Sequence, residues 1–335
     1  MNPLSEFIDA VGLATVWTYV ALFFAASGLM IWRLEALLKH GLDGTALGTL
    51  VMPYCSGLGN LLFVVIIARR GGPAEDVLTN SLVNNVTNLT LILGVPALIW
   101  GLSLTGKTAS RKRRSPHGGA GADVAQQLNR LSLLLSLAAV LFFGGVTYAV
   151  GSDGRIDERD GLVLVALFLF WQCFQVFDVL KHNVRQRHSF GVLFYVDLVI
   201  VVAGACALYT SIDWLVVWVS SQQTGFISAK NLGWLSGWLM VLPNALLACY
   251  YAAKRRADIV YASQIGDGHI CVPLCIGLTA LVQPVAVPQF FQTGLIIMLG
   301  AAGIHVLCLL AANGLPRWMG WPLAAAYAWF VSAGF

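Results

Sequence analysis

The feature that most constrains this chain is a series of ten long apolar stretches, at about 15–38, 44–68, 77–100, 129–150, 160–180, 189–212, 231–253, 259–282, 288–311 and 316–335. A helix needs about 20 mostly apolar residues to cross roughly 30 Å of hydrocarbon. A membrane β-barrel would need short segments of alternating polarity, which these unbroken runs do not supply. Composition agrees: 11% of the 335 residues are charged and 58% are hydrophobic, against about 25% charged in a soluble domain. That is too little polar surface to wrap a water-soluble enzyme of this size. The expected class is an all-α membrane protein with about ten transmembrane helices.

Basic residues set an expected topology. With the N-terminus outside, the inner loops hold Lys39, Lys107, Arg111, Lys112, Arg113, Arg114, Arg130, Lys181, Arg185, Arg187, Lys254, Arg255, Arg256 and Arg317. The outer loops hold only Arg69, Arg70, Arg155, Arg159 and Lys230. Positive residues mark cytoplasmic loops, so both termini are expected outside a plasma or inner membrane. The run Arg111-Lys112-Arg113-Arg114 lies in a Gly/Ser-rich stretch, 101–128, expected to be a disordered loop. It reads as a topology determinant that tolerates weak contact with anionic lipid, and not as a nucleic-acid patch. The first 14 residues carry Glu6 and Asp9 and no positive charge, so the first span is expected to stay as helix one and not to be cleaved. All seven cysteines fall within the apolar stretches, which argues for free packed thiols.

Two stretches read alike at a fixed offset. Glu75 to Ile99 and Asp258 to Val282 align Leu93-Gly94 with Ile276-Gly277, and Ala97-Leu98-Ile99 with Ala280-Leu281-Val282. Upstream, Leu58-Gly59-Asn60-Leu61-Leu62 matches Leu242-Pro243-Asn244-Ala245-Leu246, after one inserted residue. Basic turns follow both, Arg69-Arg70 and Lys254-Arg255-Arg256. The copies lie five spans apart, an odd number, so the second enters the membrane from the opposite side. Inverted repeats of this kind characterise secondary transporters that bind their cargo near the midplane. The expected halves are 1–188 and 189–335, five helices each.

On these residues the chain resembles the calcium/cation antiporter superfamily, of the sodium/calcium exchanger type. The resemblance implies ten helices in two inverted halves, each with an α-repeat of the form Gly-Thr-Ser-x-Pro-Glu followed by Gly-Asn-x-x-Gly-Ser-Asn-Ile-x-Asn. The segment from Asp153 to Gly161 is similar to an Asp-Gly-x-Ile loop before helix five of that family. The motifs are degenerate here. Asn60 and Asn244 stand where the family has its ion-binding Glu. Asn84 and Asp267 stand where it has Ser. Asn80, Asn85 and Asn88 keep family asparagines, whereas Gly268 and Cys271 replace them in the second copy. Ser56-Gly57 and Met240-Val241 stand at the Thr-Ser pair.

The polar residues carry their own argument. Asn80, Asn84 and Asn88 are spaced i, i+4, i+8, which stacks them on one helix face. Such a face in hydrocarbon lines a cavity or hydrogen-bonds neighbouring helices. Asp267, between Gly266 and Gly268 and upstream of Pro273, suggests a broken or unwound helix whose carbonyls coordinate a cation. An intramembrane carboxylate is a functional candidate by default, with a salt bridge to a helix-end base as the alternative. His269 shares a proton with Asp267 or is packed neutral. Asp197 is a relay candidate, Asp178 and Asp213 suit helix ends, and His305 reads as packed. Cys271 and Cys275 at i, i+4 hint at soft-metal binding without a second Cys/His cluster to support it. The sequons at Asn85 and Asn88 lie inside a span, where glycosylation is implausible.

A Ca²⁺ ion wants six to eight oxygens and several negative charges. One carboxylate with amide oxygens suits a monovalent cation, or a proton carried on Asp267. The leading expectation is a secondary cation antiporter of Na⁺, H⁺ or Ca²⁺, with Asn60, Asn84, Asn88, Asn244 and Asp267 as its ion-binding residues. The alternative is a transport-silent membrane scaffold or regulator that kept the fold and lost the site. No catalytic or nucleotide-binding motif appears, so neither an enzyme nor an ATP-driven pump is expected, and no cofactor is implied.

Overall fold

Bilayer thickness sets the helix lengths, and the chain folds as long helices joined by short turns. The computed structural model describes residues 3–39, 52–104, 119–183 and 192–335. The basic run Arg111 to Arg114 and the expected boundary between halves at 188/189 lie outside the described residues. In chain order the first helices are α1 (Pro3–Ala10), α2 (Val16–Lys39) and α3 (Met52–Arg70). A broken helix follows: α4 (Ala74–Thr87), a π segment (Asn88–Ile92) and α5 (Leu93–Trp100). Next come α6 (Gly119–Val150), α7 (Glu158–Asn183), α8 (Val192–Ser221) and α9 (Leu232–Ala253). The second broken helix is α10 (Ala257–Ile270), a π segment (Cys271–Cys275) and α11 (Ile276–Val282); α12 (Phe291–Ala312) and α13 (Gly320–Gly334) complete the chain. Among the described residues, eight helices are long and apolar enough to cross a membrane. The described part of α3 and the 15-residue α13 fall outside that eight. The expected loop 101–128 is shorter than its composition suggests, because α6 already starts at Gly119.

The inverted repeat is visible in how elements meet. The two π segments begin at Asn88 and Cys271, the same offset that relates Gly94 to Gly277. Helix α9 packs on α4 as α10 packs on α3, and α11 packs on α7 as α13 packs on α5. Two-residue strands repeat the pattern: Leu102–Ser103 (β1) after the first broken helix pairs antiparallel with Gly314–Leu315 (β4), and Val285–Ala286 (β3) after the second pairs with Arg155–Ile156 (β2). The broken helices also clasp each other's entry turns. Gln283 Nε2 donates to the Gly72 carbonyl at 2.9 Å, and Arg255 Nη1 donates to the Trp100 carbonyl.

Burial ranks the helices by role. The two broken helices are 72% and 78% buried, whereas the apolar windows of α2 and α7 are only 22% and 28% buried. The outer helices therefore present Leu, Val, Phe and Trp to lipid, and the broken pair forms the centre. Small residues permit the close contacts. A Cβ on Gly233 would lie 2.6 Å from Thr79 Cβ, and one on Gly237 would lie 2.8 Å from Val83 Cβ, so α9 meets α4 nearly backbone to backbone. The six cysteines with described side chains are free thiols. At the start of α7, Asp157 Oδ1 accepts from the Arg159 and Asp160 amides while Asp160 Oδ2 accepts from the Asp157 amide. This reciprocal cap satisfies the first-turn donors.

Candidate ion-binding site

Each broken helix places one face of polar residues at the molecular centre. In repeat one, the i, i+4 spacing of Asn84 and Asn88 lets the Asn88 Nδ2 donate to Asn84 Oδ1 at 2.9 Å. The same Nδ2 donates to Asp267 Oδ2 at 2.9 Å, joining the two repeats. From α9, Asn244 Nδ2 donates to that carboxylate oxygen at 2.6 Å. Asn84 Nδ2 reaches Asn60 Oδ1 more weakly, at 3.4 Å. All five residues are at most 2% exposed. The five sequence-derived candidates thus form one connected network.

The network is not fully satisfied from within. Asn60 Nδ2, Asn88 Oδ1 and Gln264 Oε1 have no hydrogen-bond partner among the described residues. Gln264 was not among the sequence candidates. It lies three residues before Asp267 on the same helix, close enough to share its face, and its Nε2 reaches the Asn244 carbonyl at 3.4 Å. A small cavity of about 20 Å³ is lined by Phe23, Met30, Gly59, Met240, Pro243 and Asn244, among others. It shares Ile31 and Pro243 with a larger groove of about 300 Å³ between α2 and α9.

Other sequence candidates fall elsewhere. Asn80 Nδ2 donates to Ser236 Oγ at 3.0 Å, a helix-to-helix bond between α4 and α9. Asp267 sits in regular α-helix, so the flanking glycines do not unwind the chain. The break starts four residues later, at Cys271, in a segment where Pro273 lacks an amide donor. Gly268 instead admits α6, since a Cβ there would lie 3.1 Å from Val140 Cγ2. His269 does not face Asp267. Its Nε2 is 2.9 Å from the Ser136 carbonyl, and its ring packs edge-on against Phe143 and Trp171. A carbonyl can only accept, so that nitrogen carries the proton. Asp197 pairs with Arg33 at 3.0 Å, linking α8 to α2. Asp213 takes a two-bond grip from Arg70 at 2.7 Å, which ties α8 to α3 and replaces the snorkelling or capping expected of it. The side chain of Asp178 lies outside the described residues. Among the described residues no group of three or more His, Cys, Asp or Glu side chains is placed to hold a metal ion.

The family profile described as "Sodium/calcium exchanger protein" matches residues 11–177. Comparison with curated proteins gives no match. Among solved structures, the sodium-calcium exchanger NCX_Mj soaked with 2.5 mM Na⁺ and 10 mM Sr²⁺ superposes with a TM-score of 0.65 at 16% identity, over 95% of this chain and 99% of that one. The same exchanger soaked with zero Na⁺ and Ca²⁺ gives 0.63 at 16% identity, over 97% and 99%. With 10 mM Na⁺ and zero Ca²⁺ it gives 0.63 at 14% identity, over 95% and 99%. This integral, multi-pass membrane protein thus carries the sodium/calcium exchanger profile over its first half and shares the fold of a sodium-calcium exchanger over nearly its whole length.

Proposed function

We propose that the protein is a secondary cation antiporter whose ion site is built by Asn60, Asn84, Asn88, Asn244 and Asp267. One observation carries this reading: a fully buried carboxylate, Asp267, is held by amides from both repeats. A charge at that depth is costly unless it has work to do. The relatives in the structural comparison are described as sodium-calcium exchangers, which fits a cation as cargo.

The cargo class follows from charge. Asp267 offers one negative charge, and Asn88 Oδ1 and Gln264 Oε1 offer unengaged neutral oxygens. A desolvated divalent ion would be left under-compensated. A monovalent cation, Na⁺ above all, or a proton on Asp267 matches better. Alternating access is supported by the matched halves, which can exchange conformations around a fixed midplane site. Helices α2 and α8 pack chiefly on each other outside the broken-helix core. The cavity beside Asn244 shares Ile31 and Pro243 with the groove between α2 and α9, which supports ion entry from that side. The asymmetry of basic residues supports a topology with both termini outside.

A transport-silent scaffold would favour a closed network, with its amides satisfied by one another. The partnerless atoms of Asn60, Asn88 and Gln264 do not support that reading. A cation panel in a thermal-unfolding assay tests the proposal, because a ligand that binds only the folded state raises its stability. Na⁺ is expected to raise the melting temperature of the wild type, Ca²⁺ to do no more than an ionic-strength control, and D267N to lose the response. A wild type indifferent to every cation and to pH would sink the assignment.

A further inference from the structure

The first π segment contains a backbone group that its own helix does not satisfy in the usual way. In a regular α-helix the Leu93 amide would bond to the Leu89 carbonyl, four residues back. Here the Leu93 amide bonds to the Asn88 carbonyl, five residues back, and to the Thr90 carbonyl, three back. In the second repeat, Pro273 lies inside the π segment and removes an amide donor outright. Residues 88–92, Asn-Leu-Thr-Leu-Ile, contain no proline; Pro96 in α5 removes the donor that would serve the Ile92 carbonyl at the end of the segment, and leaves the start at Asn88 and Leu89 without a covalent cause.

The constraint at the start of the segment comes from α12. His305 is fully buried, and its Nε2 lies 2.7 Å from the Leu89 carbonyl. The carbonyl accepts, so Nε2 carries the proton and the ring is the donor. Its Nδ1 has no hydrogen-bond partner among the described residues, and its ring sits edge-on to Tyr261 of α10, centroids 5.6 Å apart. Leu89 follows Asn88, the residue whose amide bridges Asn84 and Asp267.

Resting on the ion-site reading above, we infer that His305 is a positioning residue: by holding the Leu89 carbonyl it keeps residues 88–92 in the π register, and so keeps Asn88 directed at Asp267. Without that donor, the segment recovers a partner for Leu89 by returning to α-helical register, with Leu93 bonded to Leu89. The backbone around Asn88 then rewinds and the bridge between the repeats loosens. Repeat two builds its break into the sequence with proline. Repeat one has Pro96 just beyond its segment and borrows a histidine from another helix for the segment's start.

The test uses the full-length purified chain as wild type, H305L, H305N and H305Q. Gln places an amide near the position of Nε2, while Asn is too short to reach the carbonyl and serves if H305L fails to fold. Two readouts are taken: hydrogen exchange of peptides covering 86–93, and NaCl titration of thermal stability. H305L and H305N are expected to expose 86–93 to exchange while leaving α2 unchanged. They are also expected to weaken the sodium response about tenfold, the scale of one buried hydrogen bond. H305Q is expected to restore both, and adding H305L to N88A should cause no further loss of sodium response. Unchanged exchange at 86–93, or an unchanged sodium titration beside a responsive wild type, overturns the role of His305 and leaves the ion-site reading standing. A wild type without any sodium response overturns sodium as cargo instead, and exchange at 86–93 still decides whether His305 pins the segment.

Discussion

Asn60 and Asn244 occupy equivalent places in the two repeats, yet their surroundings make them unequal. Asn244 donates to a carboxylate at 2.6 Å, and Asn60 only accepts from an amide at 3.4 Å. Hydrogen bonds to charged groups contribute about 1.5–3 kcal/mol and ordinary ones about 1 kcal/mol. N244A should therefore destabilise the folded protein by about 1.5–3 kcal/mol, and N60A by clearly less, measured by reversible denaturation in one detergent. Equal losses would contradict the asymmetry. All five candidate residues were legible in the sequence, because polar side chains at matched positions of a repeat in hydrocarbon stand out. Gln264 and His305 were not. Gln264 has a small residue, Ser81, as its repeat counterpart, and the partner of His305 is a backbone carbonyl 216 positions away.

At the scale of elements, close backbone contact and helix breaks do the positioning. Gly237 is where α9 rests on Val83 and the Asn80 carbonyl, whereas a Cβ on Gly300 of α12 would meet nothing within 4 Å. G237A should cost about 1–3 kcal/mol through overpacking, and G300A should be neutral or slightly stabilising, as alanine favours helix. Equal effects in both variants would contradict a special role for the α9–α4 contact. The cap at the start of α7 makes a pH prediction. Amides of Asp160 and Arg159 hold the Asp157 carboxylate below its usual range. Its contribution is present above the ordinary aspartate pKa and fades as pH falls through the lowered value. Hydrogen exchange at residues 157–160 should accelerate in that acidic range, and D157N should flatten the dependence. The two π segments mark the limit of sequence reading here. Glycines around Asp267 point to unwinding, but they serve helix packing, and the break lies at Pro273 and, in repeat one, at a segment that Pro96 follows without entering.

At the scale of the whole molecule, the apolar stretches and the repeat offset set the architecture in advance. Strands β1 and β3, each pairing with a strand of the opposite half, and the clasp of each broken helix on the other's entry turn follow the same offset. Those contacts were beyond a sequence reading because they join distant turns through backbone groups. The low charge content first marks lipid exposure. It also leaves the centre with a single bridging carboxylate among the described residues, which is the basis for proposing monovalent cargo in a fold shared with a sodium-calcium exchanger. The central claim is that Asp267 carries the coupling charge, and flux in proteoliposomes tests it most directly. Wild-type protein under an imposed Na⁺ or H⁺ gradient should drive cation exchange that D267N abolishes and N60A only weakens. Flux that persists unchanged in D267N, or Ca²⁺ exchange as fast as monovalent exchange, would contradict the account.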